Sequence, residues 1–277
     1  MSSSPETKTR TTGTHRAHRE HREHREARDR AAARTLAQRP PARYEAYLDG
    51  LFTYCLSVLC DHDTATAALG DVLTLAERRD HRGNRGPDSA DRRAWLYALA
   101  RWACLRKLAE AKQKRPATHA AGRPTPGGQH PAPERQHPAD QERRRRELAL
   151  LAWPEAAGTT PEQREALELA VRHHLAPHEV AAVLGMDLPA ARELLAAAAC
   201  EVERTRAALA VVETGACRGV SRLTGENRFV LSAALRRELV RHVDDCPRCR
   251  RAAERAIPGR WPGTTVTPAE LPVLEAP

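Results

Sequence analysis

The residues best suited to chemistry lie late in the chain. His242, Cys246 and Cys249 form H-x3-C-x2-C, and Cys217 precedes them with 24 intervening residues. Zinc takes four tetrahedral thiolate or imidazole ligands, and a C-x2-C pair supplies two of them without strain. With His242 near the end of a helix and CPRC wrapping back, the two sulfurs converge on one point, and Cys217 is the expected fourth ligand. Two other chemistries share parts of this pattern. C-P-x-C can be a redox pair, although that motif normally follows a strand and opens a helix in a βαβ setting, which the sequence lacks. A disulfide requires an oxidising compartment. Four protein ligands leave no open position for water, so the expected Zn2+ is not catalytic. Its thiolates can still be oxidised with loss of metal, which leaves a redox-sensing role open.

Other reactive types carry less. Cys55, Cys60, Cys104 and Cys200 sit among apolar helical neighbours and read as core thiols. His173, His174 and His178 are either a pH-sensitive cluster or surface and packing histidines. The repeat HRA-HRE-HRE-HRE from His15 to Glu26 either binds metal or forms a solvated mixed-charge arm. Steps of three turn a helix by about 300°, which spreads the four histidines over half its surface and favours the arm. There is no phosphate-cradling glycine loop, nucleophile elbow or HExxH, so no enzyme is expected.

The elements that must position these residues follow from composition. In 277 residues aromatics make up 4%, and any core must be built from Ala, Leu and Val. That favours several small helical units, and with no strand alternation anywhere the expected class is all-α. Twenty prolines and a mean hydropathy of -0.62 indicate that part of the chain is unpacked. No apolar run approaches a membrane span and MSSSPETKTR has no signal-peptide core, so a cytoplasmic protein without a membrane partner is expected. The expected organisation is a basic arm over 1–42, a helical domain over 43–113 and a Pro/Gly-rich linker over 114–146. A second helical domain over 147–212, a small helical zinc domain over 213–257 and a disordered tail over 258–277 follow.

Within the second domain, Leu167, Leu169 and Val171 mark a first helix, and Val180, Val183 and Leu184 a second. Gly185 permits a tight turn, and Asp187 can cap a third helix with Pro189 in its first turn. Such a unit is either a helix-turn-helix whose last helix enters a major groove or a plain three-helix bundle. PEQREALELAVRHHLAPHEVAAVLGMDLPAAREL resembles the C-terminal promoter-binding domain of the extracytoplasmic-function sigma factors of bacteria. ARYEAYLDGLFTYCLSVLCDHDTATAALGDVLTLA resembles the opening two helices of their N-terminal domain, and RRAWLYALARWACLRKL the helix that melts the promoter. The Cys217 block resembles the zinc-binding anti-sigma domain.

Over about half the chain the resemblance implies a transcription regulator: a degenerate sigma factor with a fused zinc module that occludes or regulates it. It implies core RNA polymerase and promoter DNA as partners, Asp71 as a polymerase contact, and Arg101, Trp102, Arg106 and Arg192 as DNA contacts. The polymerase-gripping acidic pair and Gln of the family are Thr66, Ala67 and Gly70 here, and its Asn and Asp in the melting helix are Trp102 and Arg106. Trp102 could stack on an unpaired base, or pack with Trp95 in the core. Residues 151–216 hold 5 basic and 10 acidic side chains, too few cations for tight binding to duplex DNA. The alternatives are an adaptor that sequesters another sigma factor without binding DNA, and an active sigma factor with a merely structural zinc tail.

Overall fold

A computed structural model describes residues 42–81, 88, 91–120, 137–215, 217–225, 231–256 and 271–277. Among these residues every regular element is helical, so the chain is all-α as its composition implies. The basic arm lies outside the described residues.

Tyr44, Leu51, Tyr54, Cys55 and Leu56 recur at helical spacing and are all buried. They lie on α1 (Ala42–Glu45) and α2 (Leu48–Leu59). Cys60 ends α2 in a left-handed conformation, φ 52, and is exposed, so it is not the core thiol expected, whereas Cys55 and Cys104 are. α3 (His62–His81) and α4 (Arg92–Ala120) close the first bundle by burying Ala65, Leu69, Val72 and Leu73 against Leu96, Ala100 and Ala103.

The expected linker is shorter than its composition implies. α4 continues to Ala120, and α5 begins at Pro138 and runs to Leu150. The reason is electrostatic as well as apolar. Along α5, Arg143 pairs with Asp140 and Glu147, and Arg146 with Glu142. Arg144 reaches Asp63 at 2.8 Å, Glu147 reaches His62 at 2.7 Å, and Leu148 packs on the first core. A charge-rich helix without a buried face of its own is thus held by the start of α3.

The second unit begins at a 3-10 turn, Pro154–Gly158, and α6 (Pro161–Leu167). Thr160 and Gln163 form a reciprocal capping box at its start. α6 widens into a π-helical stretch, Glu168–Arg172. α7 (Pro177–Leu184) ends at Gly185, whose φ of 72 suits a residue without Cβ. α8 (Leu188–Thr214) starts where Asp187 accepts a hydrogen bond from the Ala190 amide at 2.7 Å. α9 (Arg218–Thr224), α10 (Ala233–Asp245) and α11 (Pro247–Ala256) complete the helices of the described residues.

Two features of packing position the sites. First, Ala166, Leu169, Leu175, Val180 and Val183 of the second unit join the apolar core of the first bundle. Second, α8 serves two cores. Its Ala198 and Val202 pack on Leu167 and Val171, while Ala207, Ala208 and Val211 pack on Val220, Leu239, Val243 and Cys249 of the last three helices. The end of the expected tail also differs from its composition: Leu274 and Ala276 pack on the first core and Leu271 on the core around Val202. Apolar side chains at alternate positions give an extended segment one sticky edge.

Candidate metal centre and the placement of the other site residues

The thiols and the imidazole expected to share a ligand are brought together. The ligand atoms of Cys217, His242, Cys246 and Cys249 all lie within 4.8 Å of one another, and Cys217 Sγ is 3.2 Å from His242 Nε2. A tetrahedral centre with metal–sulfur bonds of 2.3 Å sets its sulfurs about 3.8 Å apart, so a group of this size can close on one ion. Each ligand is held by a helix end. Cys217 is the N-cap of α9, His242 lies in the last turn of α10, Cys246 joins α10 to α11, and Cys249 is in the first turn of α11.

Electrostatics favour a thiolate at one of these positions. The Val220 amide, followed by His242 and Cys249, holds the Cys217 thiol down at about 6. Cys249 is buried, and burial, reinforced by Cys217 and Cys246, pushes its thiol up. Thiols that converge on one point suit a divalent cation, which supplies the positive charge that lets them ionise together. Gly219 completes the arrangement. A Cβ there would sit 2.6 Å from His242 Cε1, so only a glycine lets the imidazole lie against the first turn of α9. The spacing of ligand types does not reveal this residue; a glycine two positions after a ligand in a helical stretch is the signal that could have.

The residues implied as DNA and polymerase contacts are in different states. Arg101 is engaged by the second unit: its guanidinium makes a two-pronged contact with Glu165 of α6, at 2.9 and 3.3 Å. Asp71 is buried and its carboxylate meets Arg106 and, at 3.5 Å, Lys107. It ties α3 to α4 rather than standing free for a partner. Arg106 also lies over the Trp102 ring, 4.6 Å from its centre. Trp102 itself is 47% exposed, while Trp95 packs partly against the core, so the two tryptophans do not share an environment. Leu75, Leu99 and Trp102 with Arg78 and Arg79 line a half-open groove of about 400 Å³. Arg192 is exposed on the first turns of α8.

Sequence reasoning missed the partners that neutralise the acidic second unit. Arg93 of α4 donates to Glu179 of α7 at 2.8 Å, and Glu179 in turn accepts from the Ala176 amide. Tyr54 donates to Glu165 at 2.7 Å. Opposite charge in 101–150 and 151–216 could have signalled the Arg101–Glu165 pair, but not Arg93 or Tyr54, which lie before residue 101. The histidines also separate. His173 is buried among Tyr54, Tyr97 and Arg172, while His174, with φ 55, is exposed. Burial, and after it Arg172 and His174, press the His173 pKa down to about 3. Among the described residues, no helix is long and apolar enough to cross a membrane. No family model, curated protein or solved structure matches this chain.

Proposed function

We propose that this protein is a transcription regulator built as a degenerate sigma factor that closes upon itself, with a zinc unit as its regulatory module. The observation that carries the reading is the pairing of Arg101 and Arg93 on α4 with Glu165 and Glu179 of the second unit. In a sigma-like protein α4 is the promoter-melting helix and the second unit the promoter-reading one. Here the acidic charge of residues 151–216, unfavourable toward DNA phosphates, neutralises the basic face of α4. Closed in this way, the chain withholds Arg101 from DNA, while Trp102 over its groove and Arg192 stay exposed. The three-helix unit with its Gly185 turn and Asp187 cap supports the helix-turn-helix reading.

Zn2+ is the metal that suits three thiolates and one imidazole best. Bound, it supplies the positive charge that keeps the thiolates together. The chain's own residues do the rest: Cys217 and His242 fasten α9 to α10, and Cys246 with Cys249 fastens α10 to α11. Because these helices pack on the last turns of α8, whose first turns carry Arg192, the zinc unit regulates through a shared helix. Core RNA polymerase and promoter DNA are the partners on this reading, and the cytoplasm its place. A second reading, an adaptor that sequesters another sigma factor, is favoured by the burial of Asp71 and by Glu193 standing exposed beside Arg192.

The test is capture by purified core polymerase of the intact chain, of an E165Q/E179Q variant that loses the closing pairs, and of a C246S/C249S variant. Capture that rises in the opened variant supports a restrained sigma factor. Capture by none of them, with stable binding to a second sigma factor, selects the adaptor.

A further inference from the structure

At the junction of the two bundles an extended segment, Leu271–Pro277, lies against helices far earlier in the sequence, from α2 to α8. Its contacts are directional. The Leu274 amide donates to Thr53 Oγ1 at 2.8 Å, and the Ala276 amide donates to Asp49 Oδ1 at 2.9 Å. The Thr53 hydroxyl divides its proton between the carbonyls of Asp49, at 2.7 Å, and Leu274, at 3.2 Å. The registers agree. Asp49 and Thr53 are i and i+4 on α2, a rise of about 6 Å, and two residues of extended chain span about 6.6 Å. The segment therefore runs antiparallel to α2 and turns Leu274 and Ala276 inward, with Val273, Glu275 and Pro277 exposed.

Its other end is held by a buried cation of the second unit. The Arg172 side chain is fully buried, and its guanidinium donates to the carbonyls of Pro272, at 2.8 Å, and Leu151, at 3.0 Å, with Glu168 beside it at 2.6 Å. Without the segment, a buried guanidinium loses one acceptor and the apolar floor under Leu271 and Leu274 faces water, both unfavourable. Proline at 272 keeps Leu271 extended.

We propose that this junction is a peptide-binding seat whose resident ligand is the chain's own Leu271–Pro277 segment, strapping α2 to Arg172 and holding the two bundles closed. The seat takes a short extended apolar peptide of the form Leu-Pro-x-Leu-x-Ala, read through two amides and two carbonyls. Tethering to the same chain gives the strap an effective concentration of the order of millimolar, so a modest intrinsic affinity keeps it seated. The proposal is independent of what the closed chain regulates.

Amide exchange on the full chain tests it. The Leu274 and Ala276 amides are expected to exchange at least about tenfold more slowly than in the free peptide LPVLEAP. Deleting residues 271–277 is expected to leave far-UV circular dichroism unchanged and to speed exchange over Leu169–Leu175. Added LPVLEAP peptide is expected to restore that protection, and a peptide with the L274D change is not. The full-length L274D variant should behave as the deletion does. Exchange of Leu274 and Ala276 at free-peptide rates overturns the proposal, as does unchanged exchange over Leu169–Leu175 in both variants. Loss of helix in both variants also overturns it, because a segment the fold cannot do without is a core element and not a strap.

Discussion

At the scale of single residues, the metal group and the buried histidine make separate predictions. G219A should push the His242 ring off its seat, because the added Cβ would lie 2.6 Å from Cε1. We expect Zn2+ affinity, read by competition with a chromophoric chelator, to fall about 10- to 100-fold with helix content kept. C249S should lose the ion altogether and loosen α11, whose Ala252 and Ala253 share the core that Cys249 completes. His173 acts through protons. Its folded pKa of about 3 lies below the unfolded value near 6.5, so the unfolded chain binds the extra proton. Its contribution is therefore complete above pH 6.5 and is lost as pH falls toward 3, by about 1.4 kcal/mol per unit. Urea unfolding between pH 7 and 5 should show this slope in the wild type and a shallower one in H173L. Equal slopes would show that the charge-free side chain matters only for packing.

At the scale of elements, α8 is the connection to test. Arg236 of α10 is buried, donates to Thr205 Oγ1 at 2.9 Å and to the Glu201 carbonyl at 3.2 Å, and meets the Glu201 carboxylate. R236M should take the buried donor from Thr205 Oγ1 and the Glu201 carbonyl, leave the Glu201 carboxylate to Arg204 alone, and cost about 2 kcal/mol, read as a lower denaturation midpoint. If α8 transmits between its two cores, the same change should speed amide exchange at Ala198 and Val202 as well as at Val211. An effect confined to Val211 would show that the two ends of α8 respond separately. The helix itself was legible: Asp187, Pro189 and the run from Leu188 mark its start, and Gly185 the turn before it. The start of α5 was not, because its sequence has no continuous apolar face and the pairing of Arg144 and Glu147 with α3, together with Leu148 on the first core, keeps it in place.

At the scale of the whole molecule, closure rests on ion pairs together with a shared apolar core. The E165Q/E179Q variant should raise the radius of gyration in X-ray scattering, and added salt should weaken closure in the wild type more than in the variant. An unchanged radius in both would place the closing energy in the shared core of Ala166, Leu169, Leu175, Val180 and Val183 and in the Leu271–Pro277 strap. The sequence by itself determined the helical class, the turn at Gly185, the cap at Asp187 and the four metal-binding types, because each depends on local periodicity or on the chemistry of one side chain. Only the tertiary structure decided that Arg101 meets Glu165, that Asp71 is buried, that Gly219 makes room for His242 and that Leu274 lies on Thr53. Those pairings join residues far apart in the chain, and neither periodicity nor composition carries the relative orientation of two helices.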